Sequence, residues 1–131
     1  MPSPLVIDAS ATIELLVQSQ LSVRVEQAIE DRPLIAPDIL NAEVLQTLRG
    51  LERGGVLTET RASKAVSRFA ESQIARVPTR ALLQGIWSLR HNLSSYDACY
   101  VALARTLACP LLTTDGPLTR APSLGIDLLV A

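Results

Sequence analysis

Five short runs of the chain are apolar without the strict apolar–polar alternation of a strand that has one wet face. They are Leu5-Val6-Ile7, Leu34-Ile35-Ala36, Ile74-Ala75-Arg76-Val77, Leu111-Leu112-Thr113 and Leu128-Leu129-Val130. Runs of this kind are read as strands buried on both faces. Between them the apolar residues recur at helical spacing. Asp8-Ala9-Ser10-Ala11 turns the first run into a helix that carries Ile13, Leu16 and Val17 and ends near Gln18. A second helix is predicted from about Val23 to Asp31, on Val23, Ala28 and Ile29. Pro37 stops the second strand, and Asp38 opens a long helix with Leu40, Val44, Leu48 and Leu51 inward, ended by Gly54-Gly55. Thr58 caps a helix to about Glu71 with Ala62, Ala65, Val66 and Phe69 inward. Thr79–Leu89 is read as a helix through Leu82, Leu83, Ile86 and Trp87, and Ser94–Leu107 as another through Val101, Leu103 and Leu107. Strands alternating with helices predict a three-layer α/β domain, a parallel four- or five-stranded sheet flanked by helices.

Size and composition set the remaining bounds. The chain has 131 residues, 48% of them apolar, with no linker, repeat or low-complexity tract, so residues 1–131 are read as one domain. No apolar run reaches the roughly 20 residues of a membrane span; the greasiest stretch, Tyr100–Leu112, is broken by Arg105 and Pro110. The start, Met1-Pro2-Ser3-Pro4, lacks the basic region of a signal peptide. Cys99 and Cys109 are too few for a disulfide framework or a four-cysteine zinc site and read as small buried apolar residues. The expectation is a soluble, reduced, cytoplasmic protein without a membrane partner. A net charge of −1 offers no global attraction to nucleic acid.

An open parallel sheet binds its ligands beyond the carboxyl ends of its strands. Asp8 ends the first strand, and Asp115 follows Thr113-Thr114 at the end of the fourth. Glu43 borders the apolar stripe of its helix, and Asp97 lies in the first turn of another. Each has an ordinary explanation: a helix cap for Asp8, a capping box with Ser94 for Asp97, a turn before Gly116-Pro117 for Asp115, a solvated helix position for Glu43. Taken together they would converge with no Lys or Arg among them. Uncompensated carboxylates raise one another's pKa and disfavour folding unless a cation joins them. Hard oxygen ligands select Mg²⁺ or Mn²⁺, and such an ion lowers the pKa of bound water and steadies charge on a phosphoryl oxygen. This is the chemistry of a metal-dependent nuclease.

Four segments, Val6-Ile7-Asp8-Ala9-Ser10, Asn41-Ala42-Glu43-Val44, Ser94-Ser95-Tyr96-Asp97-Ala98 and Leu112-Thr113-Thr114-Asp115, resemble in order and spacing the PIN-domain family. Within it they resemble the VapC-type toxins of toxin–antitoxin pairs, over essentially the whole chain. The resemblance implies a Mg²⁺- or Mn²⁺-dependent endoribonuclease with Asp8, Glu43, Asp97 and Asp115 at the acidic metal-site positions. Ser10 and Thr113 match hydroxyl positions that support such a site. It also implies a homodimer and a small VapB-like antitoxin that covers the groove. On this reading Asp8 and Asp97 hold the principal ion with help from Asp115, and Glu43 orients or deprotonates the attacking water.

Other features are weighed against surface or packing roles. Arg61, Lys64 and Arg68 share a helix face opposite Val66 and Phe69, and would make a phosphate-tracking stripe beside the metal site. Arg49 and Arg53, beyond Glu43, are similar RNA-binding candidates. His91 sits in a polar loop, and Tyr96 and Tyr100 are read as core or dimer packing. Leu21, Leu45, Leu51 and Val56 would be surplus apolar surface for a partner. A phospho-acceptor receiver would want paired early acids and a late Lys, and nothing after Lys64 supplies one. A D-x-D phosphatase fails because Ala9-Ser10 follow Asp8. The alternative is a non-catalytic PIN-like adaptor that binds RNA or protein. The net charge does not exclude RNA: with the four acids set aside as ligands, 9 acids face 12 bases, a remainder of +3.

Overall fold

A computed structural model describes residues 2–114, 116–120 and 124–131. Strand β1 (Leu5–Ile7) is buried at all three positions, so both of its faces are covered. It pairs in parallel with β2 (Leu34–Pro37) on one side and β4 (Leu111–Thr113) on the other. Strand β3 (Ala75–Val77) continues from β2, and β5 (Leu128–Val130) from β4. The order is β3-β2-β1-β4-β5, all parallel. The four- or five-stranded expectation resolves at five. The chain moves outward from β1 to β3 on one side, then restarts with β4 on the other. The strand order therefore reverses between β1 and β4, and a crevice opens where their carboxyl ends part.

The helices are α1 (Ala9–Val17), α2 (Ser22–Ile29), α3 (Leu40–Arg53), α4 (Glu59–Glu71), α5 (Leu83–Ser88), α6 (Ser95–Leu107) and the single turn α7 (Pro117–Arg120). Helix α1 packs with α2, α3 and α4, while α6 lies against β1, β2 and β4 and takes α5 on its other side. Among the described residues no helix is long and apolar enough to cross a membrane.

Some expectations shift. Asp38 does not cap α3; its Oδ1 accepts the Thr79 N–H at 3.2 Å, tying the α3 entrance to the segment after β3. The helix expected over Thr79–Leu89 is a 3₁₀ turn, Thr79–Leu82, followed by the short α5. Leu82, Ile86 and Leu89, at i, i+4 and i+7, form the inward stripe. Leu83 and Trp87, expected inside, are 58% and 64% exposed on the adjoining stripe. Val23 and Val66 also face outward, and Val25 takes the inward place on α2. Tyr96 is exposed whereas Tyr100 is in the core. Of the four apolar residues expected as surplus surface, Leu45 and Val56 are exposed and Leu21 and Leu51 are half-buried. Cys99 and Cys109 are free and buried, as expected.

Because β1 sits at the centre and aims Asp8 into the crevice, its packing sets the site. Ile7→Ala, at a fully buried position, is expected to cost about 3 kcal/mol of stability. Urea unfolding measures it, and a loss under about 1 kcal/mol would mean that the centre of the sheet can collapse around the gap.

Candidate active site

Asp8 leaves β1 in extended conformation, φ −91° and ψ 176°, and caps α1. Its Oδ1 accepts the Ala11 N–H at 3.0 Å and the Ser10 hydroxyl at 2.6 Å. Ser10 Oγ also accepts the Thr114 N–H at 3.1 Å and lies 3.1 Å from Thr113 Oγ1, so it joins the ends of β1 and β4. The cap explanation for Asp8 is thus correct and incomplete. A cap on the surface needs no burial, yet Asp8 is only 7% exposed. Desolvation pushes its carboxyl above the ordinary value, against the pull of Ser10, Thr113 and Ala11, and the Asp97 charge raises it further.

Glu43 comes from the first turn of α3 and is half-buried. Burial raises its carboxyl as well, and the charges of Asp97 and Asp8 add to the rise. Its Oε1 accepts a 2.5 Å hydrogen bond from the Tyr100 hydroxyl on α6. Burial and that same bond push the Tyr100 hydroxyl far above its ordinary pKa, so it stays a donor. Asp97 stands in the first turn of α6. Ser94 Oγ accepts the Asp97 N–H at 3.1 Å, but among the described residues the Asp97 carboxylate makes no return bond to the Ser94 backbone. Only the serine half of the capping box forms.

Asp8, Ser10, Glu43, Asp97, Tyr100 and Thr113 line one pocket of about 160 Å³, with Ala9 and Leu118 completing it. Among the described residues no Lys or Arg lines it. Asp115 lies outside the described residues. A cavity of about 660 Å³ between Arg105, Cys109, Pro110 and Asp127 is larger but sits at the amino ends of β4 and β5. It gathers one acid and one guanidinium, so size does not mark the reactive edge. Among the described residues no three acid, His or Cys side chains are drawn in to ligand distance of one point. Mg²⁺ keeps several of its waters and is commonly held through one or two carboxylates, so a close three-ligand cluster is not a requirement for it. Three oxygen-donor acids without a cation, sharing a pocket well above the roughly 10–15 Å³ that one water needs, fit a hydrated hard ion.

The PIN-domain family model matches residues 5–124. The chain belongs to the PIN-domain family. Its curated relatives are VapC proteins. It is 37% identical to ribonuclease VapC3 of Mycobacterium tuberculosis over 92% of this chain and 88% of that one. It is 35% identical to ribonuclease VapC1 of the same organism over 94% of each. Among solved structures, VapBC2 from Rickettsia felis, bound to a promoter DNA fragment, matches with a TM-score of 0.65 at 10% identity over 95% of this chain and 96% of that one. The Mycobacterium tuberculosis VapC20 toxin, which cleaves the sarcin–ricin loop, matches with a TM-score of 0.63 at 18% identity over 90% and 99%. At these identities the structural likeness speaks for the fold.

In this PIN domain the arginine stripe stands apart from the acids. Arg68 Nη1 donates to the Leu16 carbonyl at 2.9 Å, and Arg61 Nη2 to the Val17 carbonyl at 3.3 Å. These are the last carbonyls of α1, a helix about 13 Å long whose other end is Asp8. Two of the three stripe residues therefore cap a helix C-terminus, and Lys64 completes the small cavity there. Arg49 and Arg53 are exposed about 9 and 15 Å along α3 from Glu43. His91 is exposed in the loop between α5 and α6, off the pocket lining. Reading the sequence missed Tyr100 as a site residue; its i,i+3 spacing from Asp97 was the available signal.

Two measurements follow from this geometry. Asn caps a helix as well as Asp and carries no buried charge, so Asp8→Asn should unfold no earlier than the parent chain in a chelating buffer, whereas Asp8→Ala should lose about 1 kcal/mol. If Asp8→Asn is as destabilised as Asp8→Ala, the charge is not under strain. Separately, Arg68→Ala is expected to lose about 1 kcal/mol through its uncapped carbonyl; unchanged thermal stability would free Arg68 for the substrate.

Proposed function

We propose that this PIN domain is a divalent-metal-dependent endoribonuclease of the VapC type, the toxin of a toxin–antitoxin pair. The observation that carries the reading is the set of three acids at the β1/β4 crevice, with no cationic partner among the described residues. The ribonuclease names of the curated relatives support it. A bound Mg²⁺ or Mn²⁺ would supply positive charge at a phosphoryl oxygen and a water of lowered pKa. Asp8 and Asp97 are the residues that would hold it, with Asp115 as a further candidate. Ser10 and Thr113 steady the Asp8 carboxylate toward the crevice. Glu43 orients the attacking water and takes its proton. The water oxygen then bonds to phosphorus as the bond to the leaving ribose oxygen breaks, and that oxygen gains a proton from solvent.

The substrate is RNA, reached through an acidic pit within a surface whose remaining charges sum positive. Arg49 and Arg53, exposed on α3, are basic residues that would follow its phosphates, while Lys64 lines the cavity at the far end of α1. Arg61 and Arg68 can reach a phosphate only by sharing or leaving their carbonyls on α1. Exposed Leu45, Val56, Leu83 and Trp87 are apolar surface that a VapB-like antitoxin or a second copy of the chain would cover. The VapBC complexes among its structural neighbours support the antitoxin.

The test is cleavage of RNA by the purified chain with Mg²⁺ or Mn²⁺. Asp8→Asn and Asp97→Asn should each lower the rate by at least about a hundredfold, and chelator should abolish it reversibly. RNA binding without cleavage under any divalent ion would make the chain an adaptor instead.

A further inference from the structure

We propose that Tyr100 is a positioning residue for Glu43, holding one carboxylate oxygen so that a single oxygen of Glu43 faces the reacting water. The inference rests on the nuclease reading of the same pocket and adds to it a residue and a binding mode.

Glu43 has reason to turn away. It is half-buried at the border between the buried stripe of Leu40 and Val44 and the exposed face of Ala42 and Leu45, it faces the charges of Asp8 and Asp97, and its side chain is flexible. Left alone, like charges in a partly desolvated pocket would rotate outward to water. The hydrogen bond from the Tyr100 hydroxyl to Glu43 Oε1 opposes that rotation across the gap between α6 and α3.

Tyr100 is suited to the task because it cannot move. It is 2% exposed, among the largest fully buried side chains of the chain, with its ring in the core and only the hydroxyl at the pocket wall. It lies one turn beyond Asp97, so α6 presents two functions on one face: a carboxylate for the ion and a fixed donor for the opposing acid. Of the described hydrogen bonds, none engages Glu43 Oε2. With Oε1 anchored by Tyr100, the carboxylate is held in one orientation and Oε2 is the oxygen with both lone pairs open to a water, which suits holding that water and taking its proton.

The experiment compares the parent chain with Tyr100→Phe, Glu43→Gln and the double variant. Phenylalanine keeps the buried ring and removes only the donor. Two readouts are taken. In protein labelled with ¹³C at the glutamate carboxyls, the resonance absent from Glu43→Gln identifies Glu43. In Tyr100→Phe it should move toward the resonances of the exposed glutamates, with no RNA present. In Mn²⁺-dependent cleavage of a single-stranded RNA, Tyr100→Phe should lower kcat roughly ten- to hundredfold with KM little changed, as expected when a reacting group is misplaced by about 1 Å. In the Glu43→Gln background the same change should cost nothing further, because a residue that acts through another loses its effect when the other is gone.

An unmoved Glu43 resonance, a parent-like kcat in Tyr100→Phe, or losses that multiply in the double variant would each overturn the assignment. Glu43→Gln cleaving at the parent rate would instead overturn the role given to Glu43 itself. A parent chain inert with every divalent ion would overturn the nuclease reading, and the resonance shift would still report whether Tyr100 holds the carboxylate.

Discussion

The burial of Asp8 and Glu43 beside Asp97 is the constraint around which the rest of this structure is arranged. Three carboxylates share a small pocket with no lysine or arginine in its wall among the described residues, and burial raises the proton affinity of two of them. The fold meets this with backbone. Asp8 caps α1, Glu43 lies in the first turn of α3 and Asp97 in the first turn of α6. Three helix N-termini therefore face the crevice, each carrying the equivalent of about half a positive charge. That positive potential is fixed, cannot be displaced by a counter-ion and leaves room in the centre. A lysine would neutralise the acids and fill the place where a hydrated cation fits.

The support spreads outward from these acids. Ser10 links the Asp8 carboxylate to the end of β4, so the two strands that bound the crevice cannot part without breaking it. Tyr100 reaches from the core of α6 to Glu43 on α3. At the far end of α1, Arg61 and Arg68 hold the last carbonyls and fix the helix that Asp8 begins. The positive residues so stabilise the acidic edge from a distance, without entering it.

Much of this was legible in the sequence. The five strand segments, the parallel sheet and the place of Asp8 followed from apolar runs and from the rule that strand carboxyl ends face the ligand, while Glu43 and Asp97, on helices, were joined to Asp8 by the family resemblance. The exposed faces were less legible. Leu83 and Trp87 looked buried because Leu82-Leu83 and Ile86-Trp87 offer two adjoining apolar stripes at helical spacing, and spacing does not say which of the two faces the core. Arg61 and Arg68 looked like a phosphate stripe because a shared helix face says nothing about which helix end lies opposite. Tyr100 looked like packing, and it is packing everywhere except at its hydroxyl.

By itself the sequence determined the class of fold and the kind of chemistry. Hydrophobic period is a local property, and acids at the ends of apolar runs can be placed by counting. Only the tertiary structure decided which oxygen of Glu43 is held and which arginines are spent on α1. Those contacts join residues 44 to 57 positions apart. Their existence depends on how helices sit across one another, and no periodicity along a single chain encodes that distance.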